Sequence, residues 1–270
     1  MRNPENVKRM EKWAVQSPEE PGFHAVITPD KCESRVAQVY RLNLNAGDSY
    51  VLESGNLEMQ PALIEGKALL SEHDVINGEI SKFDAFYIPG GNSVKITAIE
   101  DCIFYIGAAI CEGYGKPFIR KFDISQPVGQ VHQIHGQGIA QREVMMTLGD
   151  FDDASRLICG LTWGGEGSWT SWPPHQHEKD LEEVYCYMEM PLPHFGMHLS
   201  YLKSGEYDDL VVHQVHSGTF VQAPAGYHPT VACPGIRNAY FWCLASFSHS
   251  SRSYNLSVLD PELENFQSER

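Results

Sequence analysis

Hydrophobic positions along the chain come in short runs rather than at helical spacing. The segments SRVAQVYRLNL, DAFYIPGG, CIFYIGAAI, EVYCYMEM, GMHLSYL, GTFVQAPAG and AYFWCLASF are rich in β-branched and aromatic residues and are bounded by Gly, Pro, Asn and Asp. Runs of this kind predict short strands, and their recurrence predicts an all-β protein built from barrels or sandwiches. Residues 82–110 and 217–246 echo each other. Each reads as a strand ending in a proline-glycine turn, a few residues of strand, a second small turn and an aromatic-rich strand. An internal duplication explains the echo. Between the copies lies FDISQPVGQVHQIHGQGIAQREV, rich in Gly and Gln and poor in large apolar residues, which suits a crossing between domains. The boundary is expected near residues 125–140, giving domains 1–130 and 131–270.

Composition narrows the function. With 270 residues and 42% hydrophobic content there is ample material for packed cores. The most membrane-like run, CIFYIGAAIC, is about half the ~20 residues of a spanning helix, so no membrane association is expected. MRNPENVKRMEKW lacks the apolar stretch of a secretory signal, so a cytoplasmic location is expected. The seven cysteines are odd in number, scattered and without a CxxC pair, and read as small buried hydrophobes. A net charge of −15 without a Lys/Arg cluster argues against nucleic acid as a partner. An anionic substrate would need a local cation to overcome that field.

The candidate chemistry lies in SWPPHQHEKDLEEVY, residues 171–185. On a strand, residues i and i+2 share a face, so His175 and His177 can point together. EKD can turn the chain and bring Glu182, at the start of the next strand, back beside the pair; Glu183 is the alternative. His228 in PAGYHP, delivered by a Pro-Gly turn, is the best fourth ligand. Three neutral imidazoles and a carboxylate suit a divalent transition metal such as zinc, manganese, iron or nickel. HQIH, with His132 and His135 at i, i+3, could chelate on a helix, but the flanking glycines disfavour one and a linker is the preferred reading.

The HxH pair followed by Glu, together with Gly218, Pro224, Gly226 and His228, resembles the two motifs of the cupins. The histidine sits one residue nearer the glycine than usual, and the usual asparagine is lacking. The N-terminal echo YIPGGNSVKI has Asn92 and Ser93 where a histidine would stand and no preceding HxH, so that half resembles a cupin barrel without metal. GSWTSWPPHQHE, LEEVY, GYHPTVACPG, LDPE, GQG with Arg142, and YIPGG are similar to the 5-deoxy-glucuronate isomerase family of bacterial inositol catabolism. The sister family, 5-keto-4-deoxyuronate isomerase of pectin degradation, shares the HxH(x)4E arrangement, and His198 in GMHLS and His213 in LVVH look closer to it. The resemblance implies a bicupin of two double-stranded β-helix (jelly-roll) barrels and a homo-oligomer. It also implies isomerisation of a small sugar acid, 5-deoxy-D-glucuronate to 5-dehydro-2-deoxy-D-gluconate, through an enediolate. The metal, zinc first, would be held by His175, His177, Glu182 and His228. His198, His213 and Glu183 lead as proton carriers, with Tyr185 and Tyr240 also usable; Arg142, Arg237 and Tyr240 are the candidates for holding substrate. An iron dioxygenase and a non-catalytic sugar-binding bicupin are the competing classes. The absence of a GxGxxG or Walker motif predicts no nucleotide cofactor.

Overall fold

The apolar runs fold as strands, and the strands assemble into four principal sheets. The computed structural model describes residues 3–204 and 207–263; the ends of the two expected domains, 1–2 and 264–270, lie outside the described residues. A six-stranded sheet runs Phe118–Arg120, Ala85–Tyr87, Leu57–Glu65, Cys102–Ile110, Gln38–Leu44, Gly22–Ile27. A seven-stranded sheet runs Ala14–Gln16, Thr219–Ala223, Leu181–Tyr187, Arg237–Ser246, Leu157–Glu166, Arg142–Leu148, His132–His135. Pairing within both is antiparallel. Each larger sheet shares a core with a four-stranded partner, one including Ser93–Ala98 and the other Gly196–Ser204.

The two larger sheets have corresponding orders, and the echoing segments occupy corresponding strands. Ala85–Tyr87 and Cys102–Ile110 stand in one sheet where Thr219–Ala223 and Arg237–Ser246 stand in the other. The crossing segment contains more structure than a linker. His132–His135 is an edge strand of the seven-stranded sheet. The N-terminal residues also leave their own half. Ala14–Gln16 pairs with Thr219–Ala223, and Met10 and Trp13 are buried in the core of the C-terminal sheets. Helix Pro4–Met10 leads into this strand, with Asn3 capping its start and Asn6 donating to Asp209 at 2.7 Å.

The two larger sheets pack face to face through a core that joins Val39, Ala62 and Tyr105 to Val184, Phe220 and Phe241. Two buried carboxylates join the halves in mirrored fashion. Glu182 accepts from the backbone N–H groups of Arg35 and Val36, both at 2.8 Å, from the Ser34 hydroxyl at 2.9 Å and from the Arg35 guanidinium at 2.9 Å. Glu58, at the corresponding place on Leu57–Glu65, accepts from the N–H groups of Ser155 and Leu157, both at 2.8 Å, and from the Tyr87 hydroxyl at 2.6 Å. Burial raises the Glu58 pKa, against the pull of these donors. Because a buried N–H left without an acceptor costs about 1–3 kcal/mol, Glu182→Ala is expected to lower unfolding free energy by about 2–4 kcal/mol in urea titrations.

Candidate metal centre

Alternation along Leu181–Tyr187 sorts two adjacent acids to opposite faces. Glu182, Val184 and Cys186 face the other half, whereas Leu181, Glu183 and Tyr185 line a cavity of about 250 Å³. Glu183 therefore replaces Glu182 beside the histidines. The turn after His177 sets the phase: the N–H groups of Asp180 and Leu181 both reach the His177 carbonyl, the strand opens at Leu181, and alternation from there puts Glu183 rather than Glu182 on the side of the histidines.

One ligand atom from each of His175, His177, Glu183 and His228 lies within 4.8 Å of the others, and among the described residues this is the only group of three or more that could hold a metal. His175 sits on the two-residue strand His175–Gln176, paired with Val258–Leu259. His228 follows a turn at Gly226, whose φ is +72° and where a Cβ would sit 2.4 Å from the Tyr201 carbonyl oxygen, leaving no room for a side chain. Each imidazole places Nδ1 against a backbone carbonyl: Pro173 at 3.1 Å, Leu181 at 3.3 Å and Gly226 at 3.1 Å. A carbonyl only accepts, so Nδ1 carries the proton and Nε2 presents a lone pair to the centre. Nε2 of His177 and of His228 lie 3.0 and 3.2 Å from the Glu183 carboxylate, and the buried His228 Nε2 has no hydrogen-bond partner. Convergent lone pairs and a carboxylate, with an orphaned buried nitrogen among them, fit a divalent cation.

Burial, reinforced by His228, depresses the His175 pKa to about 3. Burial alone would raise Glu183, but the adjacent His177 and His228 outweigh that and hold it below the usual carboxylate range. Tyr185 donates to Glu183 at 3.1 Å and lies 2.7 Å from the Ser171 hydroxyl; burial pushes its pKa well up, so it stays protonated.

Of the expected substrate-holding residues, Arg142 and Tyr240 line the cavity, and Arg142 is the one guanidinium or ammonium group among the described residues lining it. Arg237 does not; it borders a separate groove and donates to the Gly164 carbonyl at 3.0 Å. Nor do His198 and His213 line the cavity. They face each other across paired strands, and His198 Nδ1 is 2.8 Å from the Tyr187 hydroxyl. Expected as proton carriers, they are instead buried in the interior of the sheets. The chain also brings to the cavity His135, from the segment expected to be a linker, and Tyr254, Asn255 and Ser257, for which no role was expected, from a C-terminal strap. Asp260 fastens that strap, accepting from Tyr201 and Lys203, both at 2.6 Å.

The KduI/IolB family model matches residues 12–264. The chain belongs to the KduI/IolB family. Its curated relatives include 5-deoxy-glucuronate isomerase of Geobacillus kaustophilus, 27% identical with 85% of this chain and 86% of the relative covered. The enzyme of the same name from Bacillus subtilis strain 168 is 28% identical, covering 79% and 83%. Among solved structures, an IolB-like protein of Salmonella typhimurium LT2 superposes with a TM-score of 0.79 at 24% identity, covering 94% of this chain and 98% of that one. An oxalate decarboxylase of Bacillus subtilis gives 0.60 at 12% identity, covering 96% and 86%. These likenesses place the KduI/IolB chain in an all-β, cupin-like fold and make it an isomerase.

Two measurements check the site. Elemental analysis should find about one divalent metal per chain, lost in Glu183→Ala and retained in Glu182→Ala. The second concerns acid. Burial depresses His213 to about 4 and His175 to about 3, against about 6.5 in the unfolded chain. The unfolded state then binds more protons below pH ~6.5, so stability falls as pH falls. Metal-stripped protein should lose up to about 1.4 kcal/mol per pH unit per histidine between pH ~6.5 and ~4.5, and His213→Gln should flatten the slope.

Proposed function

We propose that this chain is a metal-dependent aldose–ketose isomerase converting 5-deoxy-D-glucuronate to 5-dehydro-2-deoxy-D-gluconate in myo-inositol catabolism. The observation that carries the metal-dependent reading is the convergence of three imidazole Nε2 atoms and the Glu183 carboxylate in a cavity that also presents Arg142. Zinc is the first choice for a His₃Glu set, with manganese, iron and nickel open to the same ligands. We further read the fold as a bicupin, with domains 1–130 and 131–270, the first without metal, acting in the cytoplasm as a homo-oligomer. The mirrored strand orders support the duplication.

The reaction moves a proton between neighbouring carbons. Removal of the proton from the hydroxyl-bearing carbon beside the aldehyde forms the enediolate; the hydroxyl proton passes to the former aldehyde oxygen, and return of a proton to the former aldehyde carbon gives the ketone. Nothing is oxidised overall. A divalent ion at this site would supply Lewis-acid stabilisation of the negative charge on the two oxygens. Arg142 would take the substrate carboxylate in a forked pair of hydrogen bonds, since its guanidinium is otherwise engaged by only the Ala140 and Trp172 carbonyls among the described residues. Glu183 and Tyr185 would hold the proton in transit, a reading supported by their hydrogen bond to each other and their shared place on the cavity wall. Tyr240 lines the same wall, its hydroxyl donating to Thr170 at 3.0 Å.

The test is anaerobic turnover of 5-deoxy-D-glucuronate and of the 5-keto-4-deoxyuronate, without nucleotide or organic cofactor. Ketone should form, solvent deuterium should enter the product carbon, and chelation should abolish activity that added metal restores. Turnover only in the presence of oxygen would sink the isomerase reading.

A further inference from the structure

His135 lines the metal cavity without belonging to the ligand set. It ends the edge strand His132–His135 and stands directly opposite Arg142 in the antiparallel pair, so the two side chains share a face. Gly136 makes the return possible: its φ is +71°, and a Cβ there would sit 2.2 Å from the Ala140 carbonyl oxygen. Arg142 is thereby set beside His135 at one end of the cavity wall.

The protonation of the His135 ring is dictated by a chain of fixed partners. Gln133 Nε2 donates to the Gln130 carbonyl at 2.8 Å, which fixes the amide so that Oε1 faces the ring. His135 Nε2 lies 2.7 Å from that oxygen, which can only accept. Nε2 therefore carries the hydrogen, and Nδ1 of the neutral ring is an acceptor, without a hydrogen bond of its own among the described residues. Burial, with Arg142 adding to it, lowers the ring's pKa and keeps it neutral.

We propose that His135 is a specificity-determining residue of this site: an obligate hydrogen-bond acceptor that selects a sugar acid bearing a hydroxyl donor close to its carboxylate. The inference rests on the isomerase reading and on Arg142 as the carboxylate anchor. A carboxylate on Arg142 brings the neighbouring carbons of the substrate against His135. In 5-deoxy-glucuronate the carbon beside the carboxylate is a methylene and the next carries a hydroxyl, which can donate to Nδ1. In the 5-keto-4-deoxyuronate the carbon beside the carboxylate is a carbonyl and the next a methylene, so the molecule offers Nδ1 only another lone pair there. A buried polar group that pairs with one substrate and opposes the other discriminates far more strongly than a difference in size.

The experiment compares kcat/KM for the two uronates in the metal-loaded wild type, His135→Phe and Gln133→Leu. The wild type should favour the 5-deoxy substrate by at least about 10²-fold. His135→Phe keeps the ring shape without the acceptor, and should lose about 10–100-fold on the 5-deoxy substrate while sparing the other, at unchanged metal content. Gln133→Leu frees the tautomer, and should narrow the preference by about tenfold while leaving the imidazole in place, so the test survives if the phenylalanine variant fails to fold. Nitrogen-15 NMR of His135 should show a single Nε2–H form in the wild type and a mixture in Gln133→Leu. A preference unmoved in both variants, or a wild-type ring protonated at Nδ1, would overturn the inference. A wild type inert on both uronates would instead overturn the isomerase reading, and the NMR result would still decide the state of His135.

Discussion

Two adjacent acids on one strand carry the two tasks on which this molecule depends. The pleat sends Glu182 into the contact between the halves and Glu183 into the cavity beside the histidines. A one-residue slip of the strand would turn each acid to the opposite face, so that either the backbone N–H groups of the 34–37 segment lose their acceptor or the histidines lose their anion. The register is accordingly held on both sides. Leu181–Tyr187 lies between Thr219–Ala223 and Arg237–Ser246, and each of its seven residues is buried. The site is thus as rigid as the sheet, and its geometry is set by backbone pairing before any cation binds.

Much of this could be read from the chain. The short aromatic runs became strands, the echo became corresponding strands in two sheets, and HxH with the remote His228 converged on one point. What escaped was the choice between neighbours. Spacing alone gave Glu182, because the phase in which the strand leaves the turn has no signature of its own; the apolar Val184 and Cys186, on the same face as Glu182, were the usable clue to its direction. His198 and His213 were attractive as histidines on strands between the ligand motifs, but that placement does not say which side of Tyr185 and Tyr187 they occupy. His135 was set aside because its glycine neighbours disfavour a helix; they do, but they serve a hairpin. The C-terminal strap was illegible because Tyr254, Asn255 and Ser257 reach the cavity through tertiary packing alone.

The electrostatics follow the same division. A chain of charge −15 presents Arg142 as the single guanidinium or ammonium group lining its cavity among the described residues, and surrounds it with imidazoles and hydroxyls that burial keeps neutral. Attraction for an anion is therefore local and short in range, since the surface field opposes approach and the bound state must recover that cost through directed hydrogen bonds. Such a site gains selectivity from geometry rather than from steering.

The N-terminal arm has a consequence for how the chain is made. Asn3 donates to Asp209, 206 positions away, and Ala14–Gln16 finds its strand partner only in Thr219–Ala223. On a ribosome these residues emerge about 200 positions ahead of their partners, so the arm must wait while that stretch is synthesised. Its docking covers the outer edge of Thr219–Ala223, the strand that flanks the one carrying Glu183. A segment translated early is then among the last to find its place, and the half that carries the histidine cluster is completed by residues from far away in the chain.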